Sequence, residues 1–441
     1  MMRNKFRAGM VLFALYGAVC GRAAPAPVVK ELKLPNGMTV LALEDHAFPS
    51  VAIHTVFRVG SRNEHTGLTG LSHLFEHMMF NGSAHYPGQT FDREIEKSGG
   101  SSNAWTTPDT TEYFEEFSST ALENVLLMEA DRMSALNINH ANLEQERGIV
   151  KEERRMSYDN SVEGGMAELL WNGAYVAHPY HWLPIGFMKD IDAITLTDAQ
   201  AYFREHYSPN NAVMAVVGDF KTEELFGMIR RLYSPIPRRP TIRTVVRDEP
   251  LQRGERRLTF QRAAELPALM IGYHIGPLTD KDDPALDLLS AILSRGESSR
   301  LSHAMVYQQQ IATGLNASNE SRMDPGLFTF YAQVQQGHTT EECLKSLDII
   351  PDDIQQKGVT ERELQKAKNA LRVDYINSWN TNAGRAEQIS EYHVFRGSWK
   401  EMLNYVPEHD RVTIADIQRA AKKYLISTNR TLVILAPEGT K

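Results

Sequence analysis

The feature of this sequence that most constrains its fold is an internal repeat. The segment at 195–218 (TLTDAQAYFREHYSPNNAVMAVVG) resembles the segment at 413–435 (TIADIQRAAKKYLISTNRTLVIL), which begins 218 residues later. Each copy has a helix pattern followed by an apolar strand pattern. Because such a repeat marks a duplicated unit, we expect the 441 residues to form two homologous α+β domains of about 200 residues each.

A charged segment with four prolines separates the two copies. It lies at 234–251 and reads SPIPRRPTIRTVVRDEPL. This composition is typical of an extended connection and not of a packed element. The sequence therefore predicts a first domain at 25–233, a linker at 234–251 and a second domain at 252–441.

Local patterns predict the elements of the first domain. A hairpin is expected at 30–44, because Asn36-Gly37 is a strong turn signal between two strand patterns. Two further strands are predicted at 101–107 and 111–118, and two long helices are predicted at 121–136 and 141–158.

The first 24 residues have the pattern of a secretory signal peptide. Arg3, Lys5 and Arg7 precede an apolar run at 8–19, and small residues follow. The run is too short to span a bilayer, and the positive charge lies on the expected side of it. We therefore expect export, removal of residues 1–24, and no transmembrane segment in the mature chain.

The chain has two cysteines, Cys20 and Cys343. Cys20 is a candidate for lipid attachment, although the preceding Val19 is bulkier than that processing usually accepts. If Cys20 is removed with the signal peptide, Cys343 alone remains and no intramolecular disulfide can form.

The net charge argues against nucleic acid as a partner. It is −8 at pH 7, and the sequence has no basic stripe with interleaved aromatic residues. We expect no nucleic acid to bind.

The clearest chemical signal is the sequence GLSHLFEHMMFNG at 70–82, in which His73, Glu76 and His77 have the order H-x-x-E-H. The surrounding apolar spacing predicts a helix, so the two imidazoles lie one turn apart on one face. Such a pair can hold Zn²⁺, and a neighbouring carboxylate can take a proton from water. The pattern indicates a hydrolase. The alternative is an amphipathic helix that carries these residues by chance, so the motif needs corroboration.

The second copy lacks this chemistry. The repeat offset places Ala291, Ser294 and Arg295 at the positions of the H-x-x-E-H residues. We therefore expect one metal site per chain.

A third ligand is expected from the acidic sequence LEQERGIVKEERRM at 143–156. Glu146 and Glu153 are seven residues apart and so share one helix face, where one can ligate a metal and the other can support a ligand. Glu152 lies about 100° away from Glu153 around the helix. The alternative is a solvated acidic face with no ligand.

These motifs together resemble the pitrilysin/insulinase family of inverted zinc metallopeptidases, in its small branch of processing-peptidase-like bacterial periplasmic proteins. H-L-F-E-H is followed by Glu153 in E-R-G-I-V-K-E-E. The likeness covers most of the chain after the N-terminal segment and includes the sequences PNGMTV, GSRNE, SNAWTT, HPYHWLPIG and YSPNNAVMAVVGD.

The resemblance implies both a fold and a set of residue roles. The fold is α+β: two duplicated domains, each a mainly antiparallel sheet with helices packed on it, form half of a clamshell chamber. His73, His77 and Glu153 would bind one Zn²⁺. Glu76 would be the general base, and Glu146 would orient a ligand without touching the metal.

The resemblance also implies a substrate and a location. Asn103 and Ala104 would pair with an extended peptide, a mode of recognition in which backbone hydrogen bonds anchor peptides of almost any sequence. The implied protein is a periplasmic zinc endopeptidase for extended or unstructured peptides. The alternatives are a weakly active or non-catalytic subunit of a heterodimeric peptidase and a hydrolase of non-peptide substrates.

One family pattern is missing. Relatives usually carry an Arg and a Tyr seven residues apart in the later half, which bind the carbonyl oxygen of the scissile bond. This chain has Val306 and Thr313 there, with the register set by SSRL at 298–301. We therefore expect a heterodimer with a homologous subunit that supplies the Arg/Tyr pair. A homodimer that uses Arg300 and Tyr307 is the alternative.

Overall fold

A computed structural model describes residues 28–240 and 249–437. The predicted signal peptide, Cys20 and the central part of the predicted linker lie outside these ranges. Within them, no helix is both long enough and apolar enough to cross a membrane.

The described residues form eleven strands and fourteen α-helices. The strands are β1 (Lys30–Lys33), β2 (Thr39–Glu44), β3 (Ser50–Phe57), β4 (Ser101–Thr106), β5 (Thr111–Ser118), β6 (Ala212–Gly218), β7 (Arg256–Arg262), β8 (Ala268–His274), β9 (Ala312–Glu320), β10 (Leu327–Val334) and β11 (Arg430–Pro437). The helices are α1 (Leu71–Met78), α2 (Thr90–Lys97), α3 (Leu122–Ala135), α4 (His140–Arg154), α5 (Val162–Ala174), α6 (Met188–Ala193), α7 (Leu196–His206), α8 (Thr222–Tyr233), α9 (Asp283–Ser294), α10 (Thr340–Lys357), α11 (Glu361–Ser378), α12 (Asn382–Phe395), α13 (Tyr405–Arg411) and α14 (Ile414–Tyr424).

The strands form two sheets with equivalent strand orders. The first sheet has the order β1-β2-β6-β3-β5-β4, and the second has the order β7-β11-β8-β10-β9. Each contains one parallel pair, β2 with β6 and β7 with β11, and the other neighbours are antiparallel. Apart from β1 the two orders match, which confirms the predicted α+β fold with a duplicated, mainly antiparallel sheet.

The duplication extends to individual hydrogen bonds. Thr195 caps α7 and Thr413 caps α14, each in a reciprocal exchange with the Asp three residues later. Asn211 and Asn429 then donate a side-chain hydrogen bond to the carbonyl of the last residue of the preceding helix, at 2.8 and 2.9 Å. The repeat in the sequence thus corresponds to two copies of one helix-to-strand connection.

The two halves exchange a helix. Helix α5 of the first half packs on β7, β8 and β11 of the second sheet, while α12 of the second half packs on β3 and β6 of the first. Leu170 and Trp171 of α5 are buried, as are Ala386 and Ile389 of α12. Burial of each leucine-sized side chain contributes about 1.5–3 kcal/mol, so each half completes the core of the other.

Candidate active site

Helix α1, which carries the H-x-x-E-H sequence, is fixed at its N-terminus by a buried carboxylate. Glu64 Oε2 accepts a hydrogen bond from the Gly70 amide (2.8 Å), and its Oε1 accepts one from the Ser72 amide (2.7 Å). Gly70 has a φ of +94°, which favours glycine, and the chain turns into the helix there. Because the first amides of a helix have no acceptor within it, Glu64 supplies the missing acceptors.

The apolar side of α1 packs into the core and leaves the two histidines on another face. Leu74, Phe75 and Met78 are fully buried. The imidazole centroids of His73 and His77 are 4.9 Å apart, with the rings nearly perpendicular. A helical spacing of one turn therefore places the two rings side by side, as the sequence pattern predicts.

Helix α4 brings a carboxylate to the same point. Glu153 Oε2 lies 3.6 Å from His73 Nε2 and 3.4 Å from His77 Nε2. The three possible ligand atoms lie within 4.8 Å of one another, and among the described residues these three side chains are the group of this kind that meets at one point. The structure thus joins two helices that are far apart in the sequence.

Two other glutamates of α4, Glu146 and Glu152, differ in position. Glu146 Oε2 lies 3.4 Å from His77 Nδ1, the ring nitrogen on the far side from Glu153. Glu152 points elsewhere: its side chain is 68% exposed and forms an ion pair with Arg155. Glu146 and Glu153, which are seven residues apart, therefore face the histidines, whereas Glu152 faces away from them.

Glu76 is next to the histidines and is held from the sheet. Thr106, the last residue of β4, donates a hydrogen bond from Oγ1 to Glu76 Oε2 at 2.6 Å. Burial raises the pKa of Glu76, although the hydrogen bond from Thr106 opposes this rise. A raised pKa makes a carboxylate a stronger base, which suits a group that takes a proton from water.

The two imidazoles have different electrostatic surroundings. Burial lowers the pKa of His73 to about 4, which leaves its ring neutral at pH 7. Burial also disfavours the charged form of His77, but hydrogen bonds with Glu146 and Glu153 outweigh it and raise that pKa to about 9. The hydrogen bond with His77 in turn lowers the pKa of Glu153. Glu153 is therefore ionised, and a metal ion that binds here displaces the proton of His77.

The donor set fits a zinc ion. A tetrahedral site with metal–ligand distances of about 2.1 Å has ligands about 3.4 Å apart, close to the separations from Glu153 to the histidines. Two imidazoles and one carboxylate also leave a fourth position open, as catalytic zinc sites do.

Asn103 and Ala104 lie on β4, the edge strand of the first sheet. On its inner side they pair with Phe114 and Tyr113 of β5. The other side of β4 is the edge of the sheet, and the strand ends at Thr106 beside Glu76. A peptide added to this edge would run past Glu76.

The structure shows the surroundings of the four residues considered for the Arg/Tyr pair. Arg300 is engaged within its own half, where its Nε lies 2.7 Å and its Nη2 2.9 Å from the two carboxylate oxygens of Glu363. Tyr307 is 53% exposed. Val306 is partly buried, and Thr313 lies on β9 with a hydrogen bond to Gln333. Arg300 would have to give up this bidentate pair with Glu363 in order to bind the carbonyl oxygen of a substrate.

Several residues that hold the site were not identified from the sequence. Glu64 and Thr106 act as described above, and Asp190 accepts hydrogen bonds from the Gly67 amide and from both the amide and hydroxyl of Thr69. The sequence GSRNE contains Glu64, but this residue lies in a loop before α1, where no helical or strand periodicity relates it to the helix. Contacts of this kind depend on tertiary structure.

Two family models match the chain. The model described as "Insulinase (Peptidase family M16)" matches residues 39–180, and the model described as "Peptidase M16 inactive domain" matches residues 193–371.

Individual proteins and structures agree with these matches. The chain is 30% identical to the zinc protease PqqE of Helicobacter pylori over 97% of both chains. The crystal structure of a protease from Helicobacter pylori, also 30% identical, superimposes with a TM-score of 0.89 over 93% of this chain and 100% of that one. The periplasmic protease PqqL from Escherichia coli, 17% identical, gives a TM-score of 0.75 over 92% of this chain but only 47% of PqqL. This chain therefore has the fold of about half of PqqL.

Proposed function

Because this chain belongs to the insulinase family of peptidases, family M16, we propose that it is a zinc-dependent endopeptidase that cleaves extended or unstructured peptides. One observation carries the proposal. His73, His77 and Glu153 surround a single point with a zinc-type donor set, and Glu76 lies beside them.

In this proposal the site residues have separate tasks. His73, His77 and Glu153 hold one Zn²⁺, which supplies Lewis-acid activation of water and of the scissile carbonyl. Glu146 bonds to His77 Nδ1 and so fixes the orientation of that ring. Each chain carries one site, in the first domain at 25–233. The proposal assigns no metal to the linker at 234–251 or to the second domain at 252–441.

Glu76 moves the protons of the reaction. Its carboxylate takes a proton from the attacking water and later delivers it to the leaving amine, and its raised pKa suits both steps. The hydrogen bond from Thr106 leaves the second carboxylate oxygen, Oε1, for this transfer. The peptide itself is held by the edge of β4 at Asn103 and Ala104, because backbone pairing aligns an extended chain beside Glu76.

We also propose that the exported chain works in the periplasm as one half of a closed chamber. The chain of PqqL, a periplasmic protease, is about twice as long as this one. A second homologous chain would form the opposite wall and would bring the Arg/Tyr pair that is missing here. That pair would stabilise the developing oxyanion, and closure would exclude water.

The test combines metal content with cleavage. We expect the chain from residue 25 onward to retain close to one zinc per molecule, and to cleave an unstructured fluorogenic peptide once a partner chain is present. A zinc chelator should abolish cleavage, and added Zn²⁺ should restore it. Absence of zinc would contradict the proposal, as would hydrolysis of small esters without any cleavage of peptides.

A further inference from the structure

The second half inserts a turn into the first half. This turn lies at 321–325, between β9 and β10, and contains Asp324. Asp324 Oδ2 forms an ion pair with Arg62 Nη2 and accepts a hydrogen bond from His178 Nε2, both at 3.0 Å. His178 Nδ1 accepts from the Tyr180 amide, so Nε2 carries the proton that is donated to Asp324.

Arg62 joins Asp324 to a second carboxylate. Its Nη1 donates to Asp109 Oδ1 at 3.0 Å, and Tyr180 donates its hydroxyl proton to the same oxygen at 2.6 Å. The Tyr180 hydroxyl oxygen also accepts a hydrogen bond from the Asp324 amide at 3.1 Å. The side chains of Arg62, Asp109 and Asp324 are at most 8% exposed. These are charge-assisted bonds inside the protein, so the loss of one partner leaves a buried charge uncompensated.

One arm of this network leads to the histidines. Arg62 is two residues before Glu64. The Glu64 carboxylate accepts hydrogen bonds from the amides of Gly70 and Ser72 at the start of α1. His73 is the next residue after Ser72. A shift of the loop that carries Arg62 therefore moves the N-terminus of the helix that holds both imidazoles.

The other arm leads to the general base. Asp109 lies in the turn that follows β4, three residues after Thr106, and Thr106 holds Glu76. The two arms also touch directly, because the Arg62 amide donates to the Pro108 carbonyl at 2.9 Å. Gly60 permits this approach, since a Cβ atom there would lie 2.4 Å from the Thr107 carbonyl oxygen.

We propose that Asp324 is a positioning residue, through which the second half sets the geometry between Glu76 and the histidine pair. This proposal rests on the function proposed above. It gives the second half a task beyond the exchange of a helix. It also gives a role to two sequences, GSRNE at 60–64 and HPYHW at 178–182, that the catalytic assignment leaves unused.

The test compares Asp324→Asn with the matched variant Asp45→Asn. Each of the two aspartates forms an ion pair with an arginine of the opposite half. The Asp45 carboxylate pairs with Arg385 Nη1 of α12 at 2.5 Å and accepts a hydrogen bond from the Ala47 amide. Among the described residues, these partners lie outside the loops of the site. Hydrogen exchange, cobalt spectroscopy and steady-state kinetics per folded molecule are measured on both variants.

We expect Asp324→Asn to lose amide protection at 60–72 and 105–110 and to change the visible spectrum of the Co²⁺-substituted protein. With the partner chain present, its kcat should fall roughly 10- to 100-fold with KM within about twofold, because the reacting groups are misplaced while peptide binding is retained. Asp45→Asn should keep the wild-type protection, spectrum and kcat.

Tyr180→Phe is the milder second variant, should Asp324→Asn fold poorly. It removes one hydroxyl from the network and no charge, and a smaller change in the same direction is expected. The proposal is overturned if Asp324→Asn and Tyr180→Phe leave the exchange at 60–72 and the Co²⁺ spectrum as in Asp45→Asn. It is equally overturned if all variants lose kcat alike. Because hydrogen exchange needs neither zinc nor activity, its result stays distinct from a wild-type protein that holds no metal or cleaves no peptide.

Discussion

Three glutamates on α4 lie within eight residues, and the fold gives each a different environment. Glu153 faces both imidazoles, Glu146 contacts the far nitrogen of His77, and Glu152 is paired with Arg155 at the surface. These differences follow from helical periodicity, since a spacing of seven residues returns to the same face and a spacing of six does not.

This arrangement predicts different metal retention for two alanine variants. We expect Glu153→Ala to release zinc to a chelator more than ~10²-fold faster than the wild type, because loss of a ligand should exceed the 10- to 100-fold cost of an outer contact. Glu152→Ala is the control and should release zinc at the wild-type rate. Stopped-flow measurement with a chromogenic chelator checks both, and equal release rates would overturn the ligand assignment.

At the residue scale, the sequence identified the side chains that periodicity brings together. His73 and His77 are one turn apart, and the inward glutamates of α4 follow the same rule. Glu64 and Thr106 were missed because their hydrogen bonds to α1 join segments whose contact depends on the folded chain. No local pattern distinguishes such residues from surface polar ones.

At the scale of elements, the bounds that local patterns predicted in the first half lie close to the observed ones. Strand β5 has the predicted bounds, and β4 is one residue shorter than predicted. The predicted helix at 141–158 is regular only to Arg154 and continues as a wider π-helical turn at Arg155–Asp159. The exchange of α5 and α12 was not predicted, because an amphipathic pattern shows that a face is buried without showing which sheet buries it.

The helix exchange predicts opposite effects for two glycine substitutions. A Cβ atom at Gly173 of α5 would lie 2.3 Å from Leu258 of β7, whereas one at Gly227 of α8 would meet no atom within 4 Å. Gly173→Leu should therefore lower the free energy of unfolding by about 1–3 kcal/mol through overpacking. Gly227→Leu should raise it by up to about 1 kcal/mol, since leucine favours a helix more than glycine does.

Denaturant unfolding of the two variants checks this prediction. Equal stability of Gly173→Leu and Gly227→Leu would mean that α5 is not seated on β7 in solution.

At the scale of the whole molecule, the family and the duplicated fold could be identified from the sequence because the motifs span the chain. The sequence does not decide between a heterodimer and a homodimer that uses Arg300 and Tyr307. Arg300 is bound to Glu363 and so is a poor candidate for the missing arginine.

The proposed heterodimer predicts that activity depends on mixing. The chain alone should cleave peptides weakly, and addition of a homologous exported chain with R-x-x-x-x-x-x-Y should raise the rate by ~10² or more, the usual effect of an oxyanion donor. Tyr307→Phe should leave the mixed activity unchanged. It is a cleaner probe than Arg300→Ala, which also removes the contact with Glu363. Full activity of the chain alone, lost on Tyr307→Phe, would establish the homodimer instead.

In the proposed mechanism Glu76 acts on a proton while other residues hold the metal, and the variant Glu76→Gln separates these two roles. Zinc content and peptide turnover are measured on one preparation, in the presence of the partner chain. Glutamine keeps the size of the side chain but cannot accept the proton. The expected result is close to one zinc per chain, with turnover lower by roughly 10²–10⁴. Loss of zinc from Glu76→Gln, or turnover near that of the wild type, would contradict the claim.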